Sequence, residues 1–222
     1  MNRIAVVVPA HDEEELLPTC LAALAVAAAA VPAPVEVIVV ADACADATAT
    51  IAADAGAEVV TLTARNVGRA RHAGMRHALR RGADGLWLAT TDADSTVPPA
   101  WLAWHLAHAR AGAGLVAGTV LVDDWAGRPP GLPARYETAY RRLLTGTGHE
   151  HVHGANLGCA AETYLATGGF PPLTHDEDRA LIRRAADLGV PVVADSRCPV
   201  RTSSRAAGRA PHGFAAALTA LS

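Results

Sequence analysis

Aromatic residues make up only 4% of this 222-residue chain, so the core of a 51% hydrophobic protein has to be built from Val, Leu, Ile and a great deal of Ala. An excess of positive charge is missing too: 19 basic and 22 acidic residues, spread along the chain, give a formal charge of -3, which speaks against a nucleic-acid partner. The four cysteines, Cys20, Cys44, Cys159 and Cys198, are far apart and form no Cys-x-x-Cys pair, which excludes a dense disulfide framework and fits a reduced compartment. No long hydrophobic run exists. The longest, Leu21 to Val40, is interrupted by Pro32, Pro34 and Glu36 and makes a poor membrane span. Ile4 to Val8 is too short for a signal peptide and runs into Asp12, Glu13, Glu14 and Glu15. The expectation is a soluble, cytoplasmic protein without an integral membrane segment.

A glycine-rich phosphate loop is also lacking. No Gly-x-Gly-x-x-Gly follows the first apolar run, and four carboxylates open the helix behind it, which would repel a dinucleotide's pyrophosphate. A nucleotidyltransferase would likewise want a basic, glycine-rich loop where this chain has Pro9-Ala10-His11-Asp12-Glu13.

What is present is a strict alternation. Arg3 to Pro9, Val35 to Ala41, Glu58 to Leu62 and the run from Leu86 read as strands, separated by helices over Asp12 to Ala30, Asp46 to Ala55 and Val67 to Arg81, the last closed by Gly82. Such β-α order predicts an α/β fold with a mostly parallel, doubly wound sheet flanked by helices. A helix over Pro99 to Gly112 and a strand over Leu115 to Val122 continue it, and Asp123 to Pro133, rich in Gly and Pro, is the clearest break. Beyond it the pattern predicts a helix over Ala134 to Leu144, an extended His151 to Cys159, a helical turn over Glu162 to Ala166, a helix over Asp176 to Leu188, a strand over Val190 to Asp195, a polar loop over Arg197 to Pro211 and a last helix over Gly213 to Leu221. The length fits one domain.

The run Leu86-Trp87-Leu88-Ala89-Thr90-Thr91 stops on Asp92-Ala93-Asp94. Acids at the carboxyl end of a buried strand stand where open α/β sheets bind ligands, and in an extended Asp-x-Asp both carboxylates project to one side, as hard oxygen donors for Mg2+ or Mn2+. A turn and helix cap is the competing reading, because Ser95, Thr96, Pro98 and Pro99 follow. Asp42 ends the second strand and could accept from the imide or amide N–H of uracil or guanine, while Asp46 reads as a cap for the next helix. His149, His151 and His153 alternate and would share one face of a strand; without a carboxylate or cysteine at zinc-motif spacing they read as solvent-facing or acceptor-lining rather than as Zn2+ ligands. Trp101, Trp104, His105 and His108 share one helix and read as packing rather than as a sugar platform.

The segments Val8 to Glu14, Val40 to Thr48, Asn66-Val67-Gly68-Arg69-Ala70-Arg71-His72-Ala73-Gly74, Thr91 to Asp94, Gly154-Ala155-Asn156-Leu157, Gly168-Gly169-Phe170 and Glu177-Asp178-Arg179 together resemble the family 2 glycosyltransferases, in order and spacing. The resemblance implies a single-domain glycosyltransferase A fold, with a nucleotide-sugar half over about residues 1–122 and an acceptor-binding, catalytic half over about 123–222. It implies that Pro9, Ala10, His11, Glu13 and Asp42 hold base and ribose, that Arg71 approaches the nucleotide, and that Asp92, Ala93 and Asp94 bind ribose and a divalent cation. It further implies Asp178 as general base and a C-terminal loop in which His212 completes the metal shell. The activity implied is inverting sugar transfer from a nucleoside-diphosphate sugar, UDP before GDP, to a small-molecule acceptor; an inactive sugar-nucleotide-binding scaffold or a nucleotidyltransferase are the alternatives. The chain departs from the family pattern at Ala43-Cys44, His11-Asp12 and His72.

Overall fold

The computed structural model describes residues 1–122, 124–205 and 218. Four parallel strands form its first half: β1 (Arg3–Ala10), β2 (Val35–Asp42), β3 (Glu58–Leu62) and β4 (Leu86–Thr90). They are joined by α1 (Leu17–Ala29), α2 (Thr48–Asp54) and α3 (Val67–Ala78), the last extended by a 3-10 turn over Leu79–Arg81 that ends at Gly82, φ 96°. β5 (Ser95–Thr96), α4 (Trp101–Arg110), β6 (Leu115–Leu121) and α5 (Leu132–Arg141) follow. The remainder comprises a small hairpin, β7 (Leu144–Thr145) with β8 (Gly148–His149), then β9 (Leu157–Ala160), α6 (Ala161–Ala166), α7 (Glu177–Asp187) and β10 (Val192–Thr202).

The sheet runs β3-β2-β1-β4-β9-β6-β10-β5. Alternate residues of the buried strands serve opposite faces, as strand geometry requires. Ile4, Val6, Val8, Trp87 and Ala89 pack with Leu17, Leu21, Leu24, Trp101 and Leu102 of α1 and α4. Ala5, Val7, Leu86 and Leu88 pack with Ala70 and Met75 of α3 and Leu181 of α7. Among the described residues no helix is long and apolar enough to cross a membrane.

Four elements differ from the sequence expectation. Helix α1 starts at Leu17 rather than Asp12, because the acidic run is drawn to the loop after β2: Asp12 Oδ1 accepts from Ala45 N (2.7 Å), Glu13 N donates to Thr48 Oγ1 (2.8 Å), and Glu14 N donates to Asp46 Oδ2 (3.0 Å). Strand β9 enters the sheet antiparallel between β4 and β6, a position that no local pattern announces. Strand β10 continues well past Asp195: its register shifts between Asp195 and Val200, and Val200 and Arg201 then pair with Val120 and Leu121 of β6. His149, His151 and His153 do not share a strand face. His149 and His151 are buried, the ring of His151 stacks on Tyr140 with centroids 3.6 Å apart, and Nε2 of His151 donates to Tyr140 O at 2.9 Å. The tryptophans of α4 do pack as expected, Trp101 being fully buried against His105 with ring centroids 4.8 Å apart. The helix expected over 213–221 lies outside the described residues apart from Leu218, which is buried with Val122 and Tyr136.

Asn156 pins the seam made by β9. Its Oδ1 accepts from Trp101 Nε1 at 2.8 Å, and its Nδ2 donates to Thr119 O (2.8 Å) and Cys198 O (2.9 Å). A methyl group on Gly118 would overlap that amide, so the glycine of β6 makes the close approach possible. Asn156→Ala leaves one donor and two acceptors unsatisfied in a fully buried site, and a loss of about 3 kcal/mol in denaturant unfolding is expected.

Candidate active site

The carboxyl ends of β1, β2 and β4 lie side by side, and each delivers acids or short loop residues to the same edge of the sheet. At its centre is Arg71 of α3. Its guanidinium is buried; Nη1 donates to Glu177 Oε1 at the start of α7, Nη2 donates to Asp92 Oδ1 beyond β4, and Nε reaches Thr90 Oγ1 at 3.4 Å. Gly154 lies directly against this guanidinium, leaving no space there for a side chain. The two carboxylates raise the Arg71 pKa further against the pull of burial, so the group stays charged. Burial pushes the Glu177 pKa up and Arg71 opposes it. Arg71 therefore acts on the site through Asp92 and Glu177. A buried guanidinium needs such carboxylates, and here Asp92 and Glu177 take its two Nη groups.

A second cation stands at the other acids. Past β10 the chain turns back, and Arg205 forms a two-pronged pair with Glu13, Nη1 to Oε2 at 2.7 Å and Nη2 to Oε1 at 2.5 Å, while Nη2 lies 3.1 Å from Asp94 Oδ2. Arg128 holds this segment from below, donating to the carbonyls of Ser204 (2.5 Å) and Arg205 (2.8 Å). Asp94 is pushed up to about 6, chiefly by burial and by Asp92, with Arg205 opposing. Asp92-Ala93-Asp94 is not extended: Ser95 N bonds back to Asp92 O at 3.1 Å, and the turn sends Asp92 toward Arg71 and Asp94 toward Arg205. Ala93 is buried between them.

Asp42 organises a loop. Its Oδ1 accepts from Ala64 N (2.6 Å) and Arg65 N (2.9 Å) and its Oδ2 from Asn66 N (2.8 Å), which sets the start of α3, where Asn66 caps Arg69 N at 2.8 Å. Of the roughly four acceptor positions of a carboxylate, three are thus taken. Pro9 and Ala10 end β1 opposite Val40 and Ala41, and His11 is half-buried beside Asp42, Nδ1 donating to the Asp42 carbonyl at 2.7 Å. Asp46 accepts from Thr48 N at 3.0 Å, the cap-like bond its position suggested.

The acids around the start of α7 have separate fates. Asp176, in a left-handed conformation (φ 58°), is exposed and pairs with His175 (2.9 Å) and Arg179 (3.3 Å). Glu177 is buried on Arg71. Asp178 is half-buried, with Oδ1 accepting from Arg179 N at 2.7 Å. His212 lies outside the described residues.

Carboxylate oxygens of Glu13, Asp92 and Asp94 suit a hard divalent cation. Arg205 occupies a cation's position between Glu13 and Asp94, so a divalent ion bound to both acids would take its place. As placed, these three are not drawn to within 4.8 Å of one another; among the described residues the sets that are so close are His11-Asp12-Cys44 and Glu36-Glu58-His77. Sequence reasoning missed Arg205, Arg128 and the buried role of Glu177; the arginines within the polar loop expected over Arg197 to Pro211 were the visible signal for the first.

No curated protein sequence matches this chain. Among solved structures it is similar to S. aureus TarS 1-349 in complex with UDP-GlcNAc, with a TM-score of 0.71 at 16% identity, covering 96% of this chain and 61% of that one. It is also similar to the mannosyltransferase PcManGT from Pyrobaculum calidifontis in complex with GDP-Man and Mn2+ (TM-score 0.70, 20% identity, 93% and 58% covered). A third is glucosyl-3-phosphoglycerate synthase from Mycobacterium tuberculosis in complex with Mn2+, UDP and phosphoglyceric acid (0.60, 21%, 92% and 72%). The chain thus spans about three-fifths of the length of the first two, and the likeness establishes the glycosyltransferase A fold. The family model described as glycosyl transferase family 2 matches residues 5–162, which include β1 to β4, Asp42, Arg71, Asp92, Asp94 and the Asn156 seam; the chain belongs to that family.

Proposed function

We propose that this glycosyltransferase moves a sugar from a nucleoside-diphosphate sugar to an acceptor hydroxyl with inversion, using a divalent cation. The observation that carries the reading is the arrangement around Arg71: one guanidinium ties Asp92, at the donor edge of the sheet, to Glu177, the neighbour in sequence of Asp178. Residues 1–122 supply the donor half and the later residues the acceptor half. Pro9, Ala10, His11, Glu13 and Asp42 line the base and ribose, with UDP preferred to GDP. Asp42 has one acceptor position left for a base N–H.

Asp94, with Asp92, would hold Mn2+ or Mg2+. Bound there, the cation supplies Lewis-acid stabilisation of the negative charge on the departing nucleoside diphosphate. Asp178 takes the proton of the acceptor hydroxyl at its carboxylate. Of the acids around the start of α7 it is the one neither buried on Arg71 nor tied into surface ion pairs with His175 and Arg179. Arg71 and Glu177 position it. His212 is assigned to the metal shell by the resemblance alone. A soluble small-molecule acceptor and a cytoplasmic setting complete the reading. The neighbours support a nucleotide-sugar donor and a divalent cation: their structures hold UDP-GlcNAc, GDP-Man with Mn2+, and UDP with Mn2+.

The reading is tested by incubating the protein with UDP- and GDP-sugars and acceptor hydroxyls with and without Mn2+; release of nucleoside diphosphate with sugar transfer supports it, while binding without turnover across a broad panel points to a scaffold. Asp178→Asn keeps shape and hydrogen-bonding reach but takes no proton, so turnover falls by about 10^2-fold or more with donor affinity near wild type. If Asp178 only complements the helix end, the same change costs at most about 1 kcal/mol of stability and leaves turnover intact.

Asp94 gives a pH prediction. An acid whose folded-state pKa is raised to about 6 binds a proton where a free carboxylate would not, so cation binding competes with protons below that value. Calorimetric titration of nucleoside diphosphate with Mn2+ should show affinity falling as pH drops from 7.5 toward 5.5. Asp94→Asn should weaken binding at every pH and remove that dependence.

A further inference from the structure

Two of the three places where the sequence departs from the family pattern, His11-Asp12 and Ala43-Cys44, meet in space. The imidazole of His11, the carboxylate of Asp12 and the thiol of Cys44 offer ligand atoms that lie within 4.8 Å of one another, on the half-buried rim where the loops after β1 and β2 face each other. They are unlike the acids at Asp94, which present oxygen alone. A nitrogen, a sulfur and an oxygen donor make a mixed set that suits a borderline-soft ion, above all Zn2+.

Each ligand is already oriented by the backbone. His11 donates its Nδ1–H to the Asp42 carbonyl at 2.7 Å, which puts the free lone pair on Nε2, and Nε2 faces Asp12 Oδ2 at 3.9 Å. Asp12 uses its other oxygen, Oδ1, to accept from Ala45 N at 2.7 Å. Cys44 Sγ receives the Asp12 backbone N–H at 3.4 Å, the donor that a thiolate would need, and its own S–H points to the Ala10 carbonyl at 3.5 Å. Asp12 (φ 52°) and Ala43 (φ 56°), next to Cys44, hold left-handed conformations. Outer hydrogen bonds of this kind fix the tautomer and direction of metal ligands.

The second close set, Glu36-Glu58-His77, differs in kind. Arg81 pairs with Glu36 (3.4 Å) and Glu58 (2.6 Å), so a cation already neutralises it.

We infer that His11, Asp12 and Cys44 form a three-ligand Zn2+ site at the rim of the donor edge, with the fourth position open to water. Around a tetrahedral zinc the ligand atoms lie about 3.5 Å apart, so the site closes by about 1 Å on binding. The sulfur enters as thiolate: its proton passes to solvent and the S–H bond to Ala10 is exchanged for the metal bond. The site stands on these residues alone and does not depend on the transferase reading.

Co2+ is the probe, because a cobalt–thiolate bond adds a near-ultraviolet charge-transfer band that oxygen ligands do not give. Titrating the full chain with Co2+, without nucleotide, should produce that band at one equivalent, and added Zn2+ should abolish it. Cys44→Ser should remove the band, and both Cys44→Ser and His11→Ala should lower Zn2+ affinity by more than the roughly 10–100-fold that loss of an outer hydrogen bond costs. Cys20 lies near the other acids, its Sγ donating to Asp92 O at 3.4 Å, so Cys20→Ser is the control and should keep the band. No band in the wild-type protein, or a band that survives Cys44→Ser or is lost in Cys20→Ser, overturns the proposal. Sugar transfer is read separately with Mn2+, and Cys44→Ser, at a residue with no assigned part in donor binding, is the variant that separates the two sites.

Discussion

A buried guanidinium is costly unless it is paired, and the site is assembled around meeting that need for Arg71. Asp92 arrives from the end of β4, Glu177 from the start of α7, and Gly154 leaves the space in which the guanidinium lies. Segments more than a hundred residues apart in sequence are thereby fixed relative to one another by a single side chain. Removing Glu177 would leave the buried guanidinium with only the partly exposed Asp92, so the start of α7 is tied to the stability of the fold itself.

Electrostatics at the same edge are divided between two cations of different character. Arg71 is enclosed and belongs to the frame. Arg205 comes from the segment after β10, is held through its backbone by Arg128, and sits on Glu13 and Asp94 as a partly exposed counter-ion. That division pairs Asp92 and Glu177 with the enclosed arginine and Glu13 and Asp94 with the partly exposed one.

Much of this was legible in the sequence because it is local. The β-branched runs of β1 and β2, the acids that end them and the glycine that closes α3 follow from short-range patterns, and the order of the motifs pointed to the family. What was not legible depends on distant partners. Asp12 opens the first expected helix, yet its carboxylate turns to Ala45; Asp92 and Asp94 read as a matched pair, yet a turn divides them between two arginines. The histidines at 149, 151 and 153 alternate like a strand, but His151 and His153 stack against Tyr140 while His149 bonds the Ala117 carbonyl, since the chain past His149 is irregular rather than extended. Strand β10 outran its expected end because a register shift lets the chain rejoin β6 beyond Arg197 and Pro199.

The antiparallel strand β9 has a consequence for how the chain reaches its native state. It is wedged between β4 and β6, so the sheet's two parallel blocks touch only through a segment made some forty residues after β6. As the chain leaves the ribosome, β4 waits with one unpaired edge until Leu157–Ala160 has emerged, and β6 waits with two, the second until β10 follows. Residues 1–122 are therefore no self-sufficient module: recombining or truncating the chain between β6 and β9 would leave one edge of β4 and both edges of β6 unpaired, where the finished protein has all three covered.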